Sequence, residues 1–391
     1  MHTLTATYRI VTPMFLGDAD QKATEIRPPS VKGALRFWWR ALNWGRFRNG
    51  TDDATALKKL HAEEAALFGA AADEKNNKCG QSRFLLTVQS EKLRFKEKNH
   101  VHNQFQAHDA ARYLGYGLME AFASREKNTQ AGQLIRECID EDQNFTVKVL
   151  CRDGADNSVQ EALIALGLLG GLGSRSRHGM GSLSLMELRQ DKKPIWMPPS
   201  NREAYIKAVR DFLANKLGTA DEPPYSAFSQ KARMDVLLDG VSPFKVLDSL
   251  GRGEIMYRSW GKNGKVLRRD REENFKADHD WGKRIRPQGF HPRRVVFGLP
   301  HNYGKGSSME VALADHKRRA SPLLFHVHAL GDKSFIGVSI LLRSAFLPAG
   351  EKINAGGTDV PAKIEWNLLT DFLDGMEKHT GNPRFPHKVT I

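Results

Sequence analysis

Apolar and polar residues alternate near the start of the chain, and this pattern predicts a strand. The alternation covers residues 4–16, which include β-branched and aromatic side chains, and the predicted strand ends near Gly17. The same alternation predicts further strands at Ser82–Ser90, Asn144–Arg152 and Gly181–Leu188. Helices are predicted from Ser30, over residues 54–68 and over Val159–Leu169. The first half thus has the order β-α-β-β-α-β, the split βαβ pattern of ferredoxin-like and RRM-like folds.

The second half also mixes helices and strands, so the predicted fold class is α+β. Pro194–Pro199 is rich in proline and is the predicted joint between a domain at 1–193 and a domain at 194–391, a division that 391 residues allow. Helices are predicted at Arg202–Leu217 and Asn367–Met376, and strands at Arg294–Leu299, Leu323–Leu330 and Lys333–Leu342. Residues 92–108 are rich in Lys and His and are predicted to form a mobile polar loop. The pattern does not define the strand order of this half.

Charge narrows the class of partner. Lys and Arg exceed Asp and Glu to give a net charge of +14, which is typical of proteins that bind nucleic acid or an anionic membrane. No apolar run reaches the roughly 18 residues of a membrane span, so nucleic acid is the favoured partner. Cys79, Cys138 and Cys151 lack the spacing of a disulfide framework or a zinc site. A cytoplasmic protein without cofactor or metal is predicted.

The segment from Glu25 to Arg40 is the first candidate RNA-binding site. Its prolines predict an extended entry, and a helix is expected to begin with Ser30 as N-cap, where free N–H groups favour phosphate. Three cations then recur every four residues on one face, with no acid among them. The candidate RNA-binding residues here are Arg27, Ser30, Lys32, Gly33, Arg36 and Arg40. A solvated helix face is the alternative.

The glycine-rich loop Gly167–Gly181 is the second candidate. It lies between a predicted helix and a predicted strand, which excludes a Walker A loop and a dinucleotide fingerprint, since both run strand, loop, helix. Glycines would let a sugar-phosphate chain approach, and arginines supply planar charged groups. The candidate residues are Gly173, Arg175, Ser176, Arg177 and His178. A helix C-cap followed by a long turn is the alternative.

Two basic segments of the second half complete the candidate set. Lys283–Arg294 holds five cations and no acid, and Trp281 and Phe290 beside or within it are suited to stack on bases. Its candidate contacts are Arg293 and Arg294. Arg318 and Arg319 precede a predicted strand and are candidate phosphate contacts. Solvated loops are again the alternative.

Three segments together resemble the RAMP superfamily of CRISPR effector proteins. They are Ile26–Arg40, Gly170–Gly181 and Arg318–Leu323. Within the superfamily, the first segment is most similar to the family of first subunits of type III-B Cmr complexes. The resemblance implies two ferredoxin-like domains, with insertions here at 50–80 and 92–140. It also implies a non-catalytic subunit that holds the 3′ part of the CRISPR RNA, helps seat target RNA in antiviral defence and contacts other Cmr subunits.

Two other functions stay open. The first is a RAMP endoribonuclease that processes guide precursors, with His178 near Tyr8 or Lys32 as its site. The second is a structural subunit whose basic faces dock partner proteins. Metal binding by His100-Val-His102 or His326-Val-His328 is not predicted, because neither pair has a Cys or an acidic ligand cluster nearby. Asp18 and Asp20 are interpreted as solvated loop acids.

Overall fold

The computed structural model of the protein describes residues 1–70, 80–152, 154–261, 263–282, 289–303 and 310–391. The helices are α1 Pro28–Arg48, α2 Asp53–Phe68, α3 Asn103–Ala107, α4 Asp109–Leu114, α5 Asp156–Leu169, α6 Arg202–Leu213, α7 Pro243–Arg258, α8 Lys276–Trp281 and α9 Asn367–Asp374. The strands are β1 His2–Ile10, β2 Phe84–Ser90, β3 Phe95–Lys96, β4 Cys138–Ile139, β5 Gln143–Cys151, β6 Leu183–Gln190, β7 Lys193–Trp196, β8 Arg233–Gly240, β9 Lys265–Val266, β10 Arg269–Asp270, β11 His301–Asn302, β12 Glu310–Leu313, β13 Leu323–Ala329, β14 Phe335–Leu341, β15 Ile353–Ala355, β16 Thr358–Val360 and β17 Val389–Thr390. Among the described helices, none combines the length and the apolar character that crossing a bilayer requires.

The first half is built on an antiparallel sheet with strand order β2-β5-β1-β6-β7. β5 alternates buried and outward-facing residues along its whole length, as a sheet with one covered face requires. The helices α1 and α5 pack against each other, and α5 also packs on β1 and β6. If the long strands β1, β2, β5 and β6 are numbered 1 to 4 along the chain, their order across the sheet is 2-3-1-4. This order follows from two successive βαβ-type crossovers.

The second half repeats this arrangement in a second antiparallel sheet, β13-β14-β8-β17. Its strands, again numbered along the chain, also lie in the order 2-3-1-4, and α7 packs on β8, β13 and β14. A separate sheet of shorter strands has the order β11-β12-β15-β16. The protein is thus a mixed α/β fold of antiparallel sheets.

The two halves share apolar packing. Side chains of α1 and α5 belong to one core with side chains of α6, β8 and β14. The backbone N–H groups of Val327 and Ala329 on β13 donate to the hydroxyls of Ser182 and Ser184, at 3.1 and 2.9 Å. The predicted boundary after residue 193 coincides with β7, which pairs with β6 and so extends the first sheet.

Most predicted elements are confirmed, with boundary shifts of a few residues. Three of the element predictions are wrong. Residues 294–299 are not a strand, because a 3-10 helix covers Arg293–Phe297. Residues 92–108 contain β3 and α3 rather than a continuous loop, and β1 ends at Ile10 rather than near Gly17.

The helix α7 was not predicted, because Gly251 and Gly253 interrupt its pattern with poor helix formers. The structure accounts for Gly251. A Cβ at this position would meet the carbonyl of Ala110, so the glycine allows α4 to lie against α7.

Candidate nucleic-acid interface

The helix α1 begins two residues earlier than predicted. Arg27, not Ser30, is the N-cap residue, and Pro28 and Pro29 occupy the first helical positions, where no backbone N–H is required. The expectation of a Ser30 cap is therefore wrong. Gly33 lies in the exposed first part of the helix, and a Cβ there would meet nothing within 4 Å. This side of α1 is open to another chain.

The basic stripe of α1 is neutralised in part by a residue that is remote in sequence. Arg36 Nε and Arg40 Nη1 both donate to Oε1 of Glu64 on α2, at 2.7 and 2.9 Å. The Glu64 side chain is only 4% exposed, whereas those of Arg36 and Arg40 are 39% and 37% exposed. Lys32 Nζ lies 5.4 Å from the centre of the Phe84 ring, and burial together with the Arg36 charge lowers the Lys32 pKa. The stripe is a partly exposed surface around one buried carboxylate.

The glycines of the loop make room for the protein itself. At Gly173, whose φ is +88°, a Cβ would lie 2.6 Å from the carbonyl oxygen of Phe15. A Cβ added at Gly171 would lie 2.6 Å from the carbonyl oxygen of Gly181. The predicted reason for Gly173, close approach of RNA, is corrected: backbone of the segment that follows β1 occupies that space.

Arg175 and Arg177 face different surroundings, although one residue separates them. Arg175 is exposed, and its Nε donates to the carbonyl of Tyr116 at 3.0 Å. The ring of Tyr116 is itself exposed, 6.0 Å from the guanidinium. Ser176 between the two arginines is half-buried, and its carbonyl accepts from the N–H of Gly179 at 3.4 Å.

Arg177 connects the loop to the second half. Its Nη1 donates to the carbonyl of Ser321 at 2.9 Å, and its own carbonyl accepts from the N–H of Phe325 at 2.8 Å. The guanidinium lies 5.0 Å from the centre of the Phe37 ring on α1. Burial and the nearby charge of Arg319 lower the Arg177 pKa to about 10. Arg177 still carries a positive charge at neutral pH.

Three of the predicted cations line one cleft of about 540 Å³. We call it the arginine cleft. It brings together Arg40 of α1, Arg177 of the loop and Arg319 of the segment before β13, and the remaining lining residues are Phe37, Leu57, Leu60, His61, Glu64, Tyr225 and Ser226. Glu64 is the only acid among these described lining residues. The cleft combines planar cations with the aromatic rings of Phe37 and Tyr225.

Hydrogen bonds to backbone carbonyls and to one side-chain hydroxyl hold the walls of the arginine cleft in place. Arg319 Nε donates to the carbonyl of Phe346 at 2.8 Å, and its Nη2 donates to Ser344 Oγ at 2.9 Å. Burial lowers the Arg319 pKa. The hydroxyl of Tyr225 donates to the carbonyl of Arg40 at 3.1 Å, which ties this ring to the end of the basic stripe. Preorganised cations and rings of this kind suit phosphate and bases.

The other predicted cations are placed elsewhere. Arg293 forms two hydrogen bonds with Glu365, at 2.9 and 2.7 Å, and Arg294 pairs with the buried Asp278 at 3.3 Å. These ion pairs stabilise the 3-10 helix at Arg293–Phe297. Arg318 is exposed at the surface next to Arg319. Arg27 donates to the carbonyl of Gly17 at 3.2 Å.

The proposed stacking residues of the basic segment differ from each other. Trp281 is buried in an apolar core, so the prediction that it stacks on bases is wrong. Phe290 is exposed. Residues 283–288 of this segment lie outside the described residues.

The structure does not assemble the alternative catalytic set at His178. Tyr8 is fully buried, and its hydroxyl donates to the carbonyl of Leu163 at 2.8 Å. Burial lowers the His178 pKa to about 4, an effect that the positive charges of Arg175, Arg258 and Arg177 reinforce against the opposing charge of Glu254. The ring is therefore neutral at pH 7, and its segment pairs with Phe325 on β13.

Sequence reasoning missed His61, Glu64 and Tyr225. The first two lie on the Ala-rich helix α2, which was predicted as a helix without a role. Their only signal was helical spacing, because Leu57, His61 and Glu64 recur on one face of α2. Tyr225 lies in an irregular segment and gave no periodic signal.

The fold and these motifs agree with comparisons to known proteins. Residues 7–184 match the family model of the RAMP superfamily, so the resemblance of this chain to RAMP proteins of CRISPR effectors is confirmed. The finer resemblance, to the first subunit of the type III-B Cmr complex, is confirmed by two relatives from Pyrococcus furiosus. Cmr subunit Cmr1-1 is 24% identical over 361 residues, which cover 89% of this chain and 87% of that protein. Cmr subunit Cmr1-2 is 26% identical over 190 residues, which cover 46% of this chain and 93% of that protein.

Solved structures show the same fold. The crystal structure of Cmr1 from Pyrococcus furiosus in its apo form aligns with a TM-score of 0.59 and 20% identity, covering 100% of this chain and 98% of that one. A chain of the type III-B Cmr-beta complex bound to cognate target RNA aligns with a TM-score of 0.50 and 11% identity, covering 95% and 98%. At these identities the likeness concerns the fold.

Proposed function

We propose that this chain is a non-catalytic RNA-binding subunit of a type III-B CRISPR effector. In this role it holds the 3′ part of the CRISPR RNA, helps seat the complementary target RNA and contacts other Cmr subunits. The similarity to Cmr1 along almost the whole chain supports membership of such a complex. The two repeated 2-3-1-4 sheets support two ferredoxin-like domains, with a boundary near residues 193 and 194. The cytoplasm is the proposed compartment.

The arginine cleft is the observation that carries the RNA-binding part of this proposal. Arg40, Arg177 and Arg319 come from three segments that lie far apart in the sequence, and the fold brings them to one cleft. Their guanidinium groups offer planar donors to phosphate, and Phe37 and Tyr225 offer faces on which bases stack. The excess positive charge of the chain would attract an RNA backbone to this surface.

Two features support a binding subunit over the endoribonuclease. The hydroxyl of Tyr8 is committed to Leu163 inside the core, so it is not available as a partner of His178. The Lys32 ammonium lies over the Phe84 ring of β2, so this contact directs it toward β2 and not toward His178. General acid–base catalysis requires such groups to converge on one scissile phosphate.

The experiment compares two arginines of the same helix. Arg40→Ala removes a cation of the arginine cleft, whereas Arg46→Ala removes a cation paired with Glu63 on the exposed side of the same α1–α2 pair. We expect Arg40→Ala to weaken binding of guide-length single-stranded RNA, measured by fluorescence anisotropy, and to lower the slope of log affinity against log salt by roughly 0.7. Arg46→Ala should change both far less.

Assembly with partner subunits provides the second readout. If Arg40→Ala leaves RNA affinity intact but prevents co-purification with the other Cmr subunits, the arginine cleft docks a protein and the RNA-binding proposal is wrong. Incubation of the wild-type protein with repeat RNA tests the nuclease. A discrete product that His178→Ala abolishes would establish the endoribonuclease instead.

A further inference from the structure

His102, Asp140 and Glu141 come together although the histidine is remote from the two acids along the chain. His102 precedes α3, and the two acids lie between β4 and β5. His102 Nε2 is 3.8 Å from Asp140 Oδ1 and 3.8 Å from Glu141 Oε2. One ligand atom from each of the three side chains lies within 4.8 Å of the others. The sequence predicted no metal site at His102 because its acids belong to a distant segment.

Burial distinguishes this cluster from an ordinary surface ion pair. His102 is only 4% exposed. Both of its ring nitrogens are buried without a hydrogen-bond partner, and so is Glu141 Oε2. Buried polar atoms are nearly always paired, so a facing nitrogen and oxygen that both lack a protein partner are suited to share one ligand between them. Their separation of 3.8 Å is too long for a hydrogen bond.

We propose that His102, Asp140 and Glu141 form a binding site for one divalent transition-metal ion of the Zn²⁺ class. One imidazole nitrogen and two carboxylate oxygens are ligands that Zn²⁺ accepts, at about 2.0–2.2 Å each. An ion placed between the imidazole nitrogen and either carboxylate oxygen reaches both atoms at such lengths with little movement, since each pair is 3.8 Å apart. The set leaves a further coordination position for water.

The surroundings of Asp140 fit a ligand. Lys96 Nζ lies 3.2 Å from Asp140 Oδ2, the oxygen that does not face His102. The lysine orients the carboxylate and leaves Oδ1 for the ion, as outer hydrogen-bonding partners do at many metal sites. The two carboxylates and Lys96 sum to one negative charge, which favours a cation beside the imidazole.

A metal ion at this site would connect the insertion at residues 92–140, which contains α3, to the rest of the protein. The His102 ring lies 4.8 Å from that of Phe105 on α3 and 5.5 Å from that of Phe244 on α7. An ion held by His102 and by the segment before β5 would therefore fix α3 between the first sheet and α7. Since a metal that binds only the folded state stabilises it by mass action, the melting temperature should rise with metal concentration.

The test uses the full-length protein after treatment with EDTA and gel filtration. Titration with Zn²⁺, followed by calorimetry and elemental analysis, should show one bound ion per chain together with a higher melting temperature. Co²⁺ used as a probe should give the visible d–d absorption of a protein-bound ion. Mg²⁺ at the same concentration should produce neither binding nor stabilisation, because it prefers several waters and oxygen ligands.

Matched histidine variants locate the ion. His102→Ala should weaken Zn²⁺ affinity at least about tenfold and remove the Co²⁺ absorption. His100→Ala is the control, since His100 lies close by in the sequence and is exposed. If His102→Ala fails to fold, Glu141→Gln removes one ligand charge without changing the size of the side chain and should also weaken binding. Equal Zn²⁺ affinity in the His102→Ala and His100→Ala proteins, or no stoichiometric binding by the wild type, would overturn the proposal.

Discussion

Nε2 of His326 lies 3.2 Å from Nδ1 of His328, and both rings are buried where β13 meets the first half of the protein. The two residues share one face of β13 because side chains two apart point the same way. The His328 ring packs at a tilt of 47° against that of Tyr205 on α6, with centroids 4.6 Å apart. Burial lowers the pKa of His326 to about 3 and that of His328 far below its usual value. The pair is a neutral hydrogen-bonded unit of the core.

This pair predicts a loss of stability in acid. The unfolded chain protonates these histidines near pH 6.5, whereas in the folded protein the pKa of His326 is lowered to about 3 and that of His328 lies well below its usual value, so the unfolded state binds more protons in the range between. The stability they contribute is present above about pH 6.5 and decreases as the pH falls, by roughly 1.4 kcal/mol per pH unit for each histidine. Urea unfolding between pH 7.5 and 5 measures this slope. His326→Gln should reduce this slope by the contribution of one histidine. An unchanged slope in that variant would refute the conclusion that His326 is buried and neutral in the folded protein.

Glu64 predicts opposite effects on stability and RNA affinity. Glu64→Gln leaves a polar group of the same size but removes the buried charge shared by Arg36 and Arg40. We expect the free energy of unfolding to fall by about 1–3 kcal/mol, the cost of weakening charged hydrogen bonds at a buried acceptor. RNA affinity should rise, because the arginine cleft loses its acid. Chemical denaturation and anisotropy measure the two effects, and a joint fall in both would mean that Glu64 orients Arg40 for RNA.

Two glycines predict opposite responses to alanine. Gly173→Ala places a Cβ against the Phe15 carbonyl at a positive φ, so we expect a loss of roughly 1–3 kcal/mol in unfolding free energy. Gly33→Ala adds a methyl group at an open helical position and should stabilise the protein by up to about 1 kcal/mol. Thermal or urea unfolding of both variants tests the pair. Equal effects would contradict the packing described for the loop.

The sequence predicts local elements well because their signals are local. The alternation of Asn144–Arg152 corresponds to β5, and the spacing of the stripe on α1 places Arg36 and Arg40 on one face. What it could not predict depends on contacts between distant segments. Glu64 comes to the stripe from another helix, and Arg319 meets Arg177 from the other half of the chain, so neither leaves a trace in short-range spacing. For the same reason the sequence suggests that Gly173 makes room for RNA, whereas the glycine is required by its contact with the Phe15 backbone.

Arg175 and Arg177 provide the last prediction, because the structure separates roles that the sequence made equal. Arg175→Ala removes an exposed guanidinium beside Tyr116, so the melting temperature should stay nearly unchanged. Arg177→Ala removes the donor to Ser321 that links the loop to the second half, and we expect it to lower the unfolding free energy by about 1–3 kcal/mol as well as RNA affinity.

Arg177→Lys distinguishes charge from geometry at this position. Lysine keeps the positive charge but lacks the planar set of donors, so it should restore part of the salt-dependent RNA binding and little of the stability. Calorimetry and RNA titrations on the three variants measure both properties. If Arg175→Ala destabilises the fold while Arg177→Ala does not, the arrangement of the loop is not the one described. Arg177 would then not be the residue that links the two halves of the protein at the arginine cleft.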